Sequence, residues 1–238
     1  MVPFLFRPLA YVSAICLCLH PLACQSQQRK ATDFSKRKAA LEQQQTRAAY
    51  DSLHVLLATH YTDLSAPERA TLRKTLEKHA TWAFDVLCPD TEPGPKIVLK
   101  GRVTDDNGKP LPGAKLHIFH TDQQGYYSPL DAAGSMLEND PRLEGFLTAD
   151  ALGAFEIRTV RPASYPTQYE GRLLPQHVHV MVNAKGFREG AFQIVFADDP
   201  AMTAHWVDWA KKRQHPIVQL TYHERGGQGE ANLKLSRE

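Results

Sequence analysis

The apolar positions of this chain follow two different periods, and the change between them falls just before Cys88. From about Asp33 to Phe84 there is no glycine, and Leu53, Leu56, Leu57 and Tyr61 recur at helical spacing. Ser65-Ala66-Pro67-Glu68 then has the form of a capping box, in which a serine and a glutamate three residues on satisfy each other's exposed helix-start groups. It predicts a second helix carrying Leu72, Leu76 and Ala80, joined to the first by a short turn. Beyond Cys88 the period drops to two, in short runs broken by Gly, Pro, Asn and Asp. Strands are expected over Ile97 to Thr104, Lys115 to Thr121, Gly153 to Val160, His177 to Val182, Ala191 to Phe196, Ile217 to His223 and Asn232 to Leu235. Asp105-Asp106-Asn107-Gly108 is a tight turn between the first two. Such a series argues a mainly β fold, an antiparallel β-sandwich with an N-terminal helical extension. One further helix is expected over Ala201 to Lys211, with Trp206 and Trp209 as packing residues.

The first two dozen residues belong to neither texture. Arg7 precedes an apolar run from Leu9 to Leu19, too short for the roughly 20 residues that span a bilayer but suited to a signal-peptide core. Leu22-Ala23-Cys24 resembles the end of a bacterial lipoprotein signal, although Pro21 stands where that pattern has leucine. The expected organisation is a signal over 1–24, a polar tether over 25–32, a helical extension over 33–87 and a sandwich domain over 88–238. The expectation is export to the periplasm or cell surface with a lipid anchor on Cys24, ordinary cleavage and an uncleaved anchor being the alternatives. Of the four cysteines only Cys88 falls in the sandwich, so no internal disulfide framework or paired-cysteine zinc site is available. Lys and Arg number 28 against 26 Asp and Glu, a near balance that gives no basic surface for nucleic acid.

Chemistry concentrates around one strand. In His177-Val178-His179-Val180-Met181-Val182 a period of two sets both histidines on one face, about 6.5 to 7 Å apart, where their imidazoles can close on one metal ion. Two tyrosines precede them near turn residues. Tyr127 lies in Gly125-Tyr126-Tyr127-Ser128, and Tyr165 in Arg161-Pro162-Ala163-Ser164-Tyr165-Pro166. A phenol with an ordinary pKa near 10 becomes a ligand only beside a strongly charged ion, and ferric iron is hard enough to suit phenolate with imidazole. His54, His60 and His79 are scattered through the helical region and are read as surface histidines. His205, His215 and His223 have no partner pattern, and His120 is read as a structural or surface residue that borders the pocket at most.

On these residues the chain resembles the intradiol ring-cleavage dioxygenases, the catechol and protocatechuate 3,4-dioxygenase family, from about Ile97 to Asp199. The Leu99 to Val103 and Asp106 to Ala114 segments look like the family's opening hairpin, which transthyretin-like and carboxypeptidase-regulatory domains share. Phe119 stands where the family has tryptophan, Gly125-Tyr126-Tyr127 matches its Gly-x-Tyr, and Arg161 to Pro166 is similar to its Lys-Pro-Gly-x-Tyr-Pro. The resemblance implies iron(III) held by Tyr127, Tyr165, His177 and His179 with a hydroxide, Gln193 hydrogen bonding nearby, and Tyr165 as the ligand that leaves when the diol chelates. It implies an aromatic diol and O2 as substrates and a muconate-type dicarboxylic acid as product. By analogy with the catechol-cleaving branch, the helical region is a dimer contact. The family's arginine three residues before the first histidine is here Leu174, and Arg172 is the expected substitute in catalysis. Two other readings stand beside this one: a metal-free sandwich binding module on a lipoprotein, and a zinc site joining the histidine pair to an acidic residue.

Overall fold

In a computed structural model, residues 33–129, 140–166, 168–169 and 171–238 are described; the expected signal and tether lie outside them. Helix α1 covers residues 33–44, α2 Arg47–Thr59 and α3 Ala66–His79, with a single 3-10 turn at Tyr61–Asp63 between the last two. The capping box forms as the sequence predicts: the Glu68 carboxylate accepts from the Ser65 backbone N–H at 2.8 Å and from its hydroxyl at 2.6 Å. Tyr50, Leu53, Leu57, Leu72 and Leu76 pack with Leu41 and Phe34 into a core of their own, closed on the sheet side by Phe146.

The strands are β1 (Phe84–Val86), β2 (Lys96–Asp105), β3 (Lys115–His120), β4 (Leu143–Thr148), β5 (Ala154–Val160), β6 (Gln168–Tyr169), β7 (Arg172–Leu173), β8 (His177–Asn183), β9 (Gly190–Phe196), β10 (Ile217–Val218), β11 (Thr221–His223), β12 (Gly226–Glu230) and β13 (Leu233–Leu235), with helix α4 (Ala204–Lys212) between β9 and β10. One sheet runs β1-β5-β2-β12-β11 with β13 also on β2, the other β10-β9-β8-β3-β4, and β6-β7 is a separate hairpin. Alternate residues of both sheets fill the space between them: Ile97, Leu99 and Val103 of β2 meet Ile118, Val178, Val180, Val182 and Ile194.

The sandwich is mixed rather than strictly antiparallel. The pairs β1/β5, β10/β9, β12/β2 and β13/β2 are parallel. The reason is visible at β9-α4-β10, where a helical crossover returns the chain in its original direction, as a tight hairpin cannot. The texture change comes slightly earlier than expected, since Phe84 to Val86 already belong to the sheet.

His54 corrects the sequence reading of a surface residue. It is buried, with Nδ1 3.4 Å from the Asp85 carboxylate and Nε2 against the Glu144 carbonyl. Asp85 also accepts from the Tyr50 hydroxyl at 3.1 Å, from Arg47 at 3.0 Å and from the Phe146 N–H at 3.1 Å. Burial disfavours charge on both partners, yet their attraction prevails: the His54 pKa is raised and that of Asp85 is lowered. A second group, Arg73 with Glu144 and Asp140, ties α3 to β4 in the same way.

Candidate metal centre

The outer face of the five-stranded sheet carries the histidine pair. In the β8 register His179 lies between Phe119 of β3 and Gln193 of β9, and His177 lies opposite Val195. The Phe119 ring stacks on that of His179, with centroids 4.7 Å apart and planes 1° from parallel. The strand register therefore fixes both the height and the plane of that imidazole. His177 is fixed by its other nitrogen: Nδ1 donates to the Pro175 carbonyl at 2.7 Å, leaving the Nε2 lone pair to face inward.

Two loops bring in the phenols. Gly125 has φ +86°, and a Cβ there would stand 2.2 Å from the Ser164 carbonyl oxygen, so only glycine lets the Tyr127 turn lie against the Tyr165 loop. Asp122 sews the two together, its backbone carbonyl accepting from Ala163 at 3.0 Å while its side chain accepts from Gln124 and Tyr126. Thr121 adds a hydroxyl bond of 2.7 Å to the Ala163 carbonyl. Upstream, Arg161 bonds the Gln176 side chain at 2.6 Å and grips Asp198, which joins the start of the tyrosine loop to the start of β8.

The result is a convergence of four polar atoms. Tyr165 Oη lies 3.0 Å from His177 Nε2 and 3.1 Å from His179 Nε2, Tyr127 Oη lies 2.9 Å from His179 Nε2, and the two Nε2 atoms are 3.1 Å apart. The two phenol oxygens are in direct contact with each other. Burial holds both imidazoles neutral: the His177 pKa is lowered, and that of His179 falls to about 3, the neighbouring histidines adding to the effect of burial. Two phenols and two neutral imidazoles aimed at one point form a donor set for a hard, highly charged cation. Leu174 and Met181 complete the apolar wall around Phe119, Tyr127 and Tyr165.

The other expected site residues fall as follows. Gln193 is half-buried on the same face as His179. Arg172 is exposed in the β6-β7 hairpin, its backbone paired in register with Tyr169, and its guanidinium makes no hydrogen bond or ion pair with the described residues. It is Leu174 that packs on the phenol rings. His120 is fully buried on the opposite face, hydrogen bonded at Nδ1 to the Thr121 carbonyl and at Nε2 to the Thr159 hydroxyl, a structural residue.

His215 was not expected here. Its Nδ1 accepts from the Gln193 backbone N–H at 3.3 Å, just where β10 has not yet begun to supply a carbonyl, and Trp209 packs on its ring with centroids 4.6 Å apart. Burial, with Arg213 nearby, lowers its pKa to about 4, so the ring is a neutral acceptor. Its only signal in the sequence is a lone histidine before a short strand, and nothing local ties it to Gln193.

A family model described as Dioxygenase matches residues 74–236, well over half of the chain. The chain belongs to the intradiol ring-cleavage dioxygenase family. It is 30% identical over 151 residues to catechol 1,2-dioxygenase 1 of Acinetobacter lwoffii, a match covering 58% of this chain and 47% of that one. It is 35% identical over 119 residues to catechol 1,2-dioxygenase of Acinetobacter baylyi, covering 45% and 38%. The matched region thus spans about half the length, or less, of these curated relatives. Among solved structures, catechol 1,2-dioxygenase from Pseudomonas arvilla C-1 superposes with a TM-score of 0.54 at 24% identity, over 90% of this chain and 78% of that one, a likeness of fold.

Proposed function

We propose that this intradiol-family protein is a non-haem iron(III) dioxygenase that opens a catechol-type ring with O2 between its two hydroxyl-bearing carbons, giving a muconate-type dicarboxylic acid. The observation that carries the proposal is the meeting of Tyr127, Tyr165, His177 and His179, each within hydrogen-bond distance of at least two of the others. A metal-free binding module has no use for two phenols and two imidazoles converging on one point, and the zinc reading joins the histidine pair to an acidic residue, whereas no cluster of three His, Cys, Asp or Glu side chains suited to a metal occurs among the described residues. The names of the relatives support a catechol as substrate.

In this reading Tyr127, Tyr165, His177 and His179 would hold the ion, the two tyrosinates offsetting part of its positive charge. When bound, ferric iron supplies Lewis acidity, drawing electron density from the diol so that the ring becomes open to O2. The protein's own residues do the rest. Tyr127, only 1% exposed, would hold the ion as a phenolate throughout; Tyr165, 9% exposed on a loop outside the strand ladder, would take a hydroxyl proton of the diol on Oη. The Pro175 carbonyl keeps the His177 proton on Nδ1 and its lone pair on the ion. Phe119 and Leu174 keep water from the ring face. Gln193 is offered as the polar group that bears on the site beside His179.

The signal-like start and Cys24 support a matching location, a protein exported and anchored by lipid, with the helical extension as its dimer contact. The test of the catalytic proposal is colour and gas. Iron-loaded protein is expected to show a red-brown tyrosinate charge-transfer band that shifts on adding catechol, and to consume one O2 per ring opened. Tyr127→Phe should weaken the band and abolish uptake. Protein that stays colourless after iron loading overturns the reading.

A further inference from the structure

The face that carries the candidate metal centre continues past it into a cleft. Rings follow one another along this face without a break. His179 stacks on Phe119 at 4.7 Å, Phe119 lies 5.1 Å from His117, and His117 stacks on Phe146 at 4.5 Å with planes 7° apart. The last two rings line a cleft of about 400 Å³ between α3 and the sheet, together with Arg73, Lys115, Met181 and Asn183. That volume lies in the range of about 300 to 1,000 Å³ of ordinary small-molecule sites. Met181 belongs to both places: it borders the cleft and packs against the Tyr127 and Tyr165 cluster. Along β8 the residues of this face are His177, His179, Met181 and Asn183, two residues or about 6.5 to 7 Å per step, so the cleft begins one step beyond the second imidazole. Neither this cleft nor the larger one of about 690 Å³ on the other sheet is lined by the four donors themselves, but of the two only this one shares a residue, Met181, with the apolar wall of the site.

The charges of the cleft narrow what fits. Glu77 and Glu189 line it with Arg73 and Lys115, and Arg73 is already committed to Glu144 and Asp140. Among the described lining residues Lys115 is then outnumbered by Glu77 and Glu189, a balance that does not select a carboxylate. What the floor offers instead is the rims of an imidazole and a benzene ring already stacked on each other, against which a flat aromatic group packs edge to face. We propose that this cleft is a subsite for the far end of the substrate, and that the protein takes diols bearing a second, uncharged aromatic ring. The inference rests on the ring-cleavage reading for where the diol end sits. The second ring lies toward His117 and Phe146, with the diol oxygens at the four donors.

The test compares catechol with 3,4-dihydroxybiphenyl on the full chain loaded with iron. Calorimetric titration under argon, where no turnover occurs, is expected to give a Kd about tenfold lower for the two-ring diol, and oxygen-uptake assays a kcat/KM higher by about the same factor. Asn183→Trp and Lys115→Trp fill the cleft from two facing exposed positions on β8 and β3, away from the donors. Each should erase the advantage of the two-ring diol and leave catechol within about twofold. Equal binding of the two diols by the unaltered protein, or equal losses for both in the two variants, overturns the subsite. Catechol left uncleaved by the unaltered protein instead counts against the ring-cleavage reading, and the titration under argon still decides the cleft.

Discussion

Leu174 stands where relatives of this kind place a cation, and its side chain is spent on packing against the two phenol rings. The nearest arginine in sequence, Arg172, is exposed on the hairpin that joins Tyr165 to His177 and is unpaired among the described residues. A free guanidinium on that hairpin can fold toward an electron-rich ring without breaking an existing bond. Arg172→Ala is therefore expected to lower kcat by about tenfold, less than the hundredfold or more typical of a preorganised donor, with iron content and colour unchanged. Undiminished turnover would remove Arg172 from the reaction. His215 poses a different question, since it holds a backbone N–H of β9 rather than a reactant. His215→Leu leaves that N–H without an acceptor and should cost about 1 to 3 kcal/mol in denaturant unfolding. His215→Asn, which restores an acceptor near the Nδ1 position, should recover most of it.

At the scale of elements, the strands around the site were the easiest to read, because in each an apolar residue faces the core at every second position. β8, β3, β5 and β9 appear within a residue or so of their expected ends. β4 was missed for a physical reason. Leu143 to Leu147 are buried on both faces, one side against the sandwich core and the other beneath α2 and α3, so no alternation marks them. β12, Gly226 to Glu230, reads as a loop because of its glycines, yet a Cβ at Gly229 would stand 2.3 Å from Val218. Glycine is used there for close approach, a purpose that sequence does not distinguish from turning. The four donors were legible from residue type and spacing, since two come from one strand and two from turns with local signatures. His215 and the ring row ending at Phe146 were not, because they depend on partners that only the sheet register brings together.

The helical extension and the sandwich are fastened by buried charge, and this gives the whole molecule a dependence on pH. The raised pKa of His54 means that the folded state holds its proton more tightly than the unfolded chain does. Its contribution is fully present below the unfolded value of about 6.5 and is lost as pH rises through the higher folded value. The lowered pKa of Asp85 sets the opposite limit: its contribution is present above an unfolded value near 3.9 and disappears as pH falls through the folded one. The melting temperature of the protein should thus exceed that of His54→Gln most clearly at about pH 5.5, with the gap closing toward about pH 9. A gap that widens with pH would mean that His54 is docked neutral.

The last strands have a consequence for biosynthesis. β12 and β13, the final strands of the chain, both lie parallel to β2, the first long one, so the earliest strand keeps an open flank until the tail is complete. A chain emerging from the ribosome meets that requirement only once Gly226 to Leu235 have been made, because contacts so distant in sequence form late. Until the strands from Gly226 to Leu235 have been made, that flank of β2 stays unpaired, a template to which a second chain can add itself.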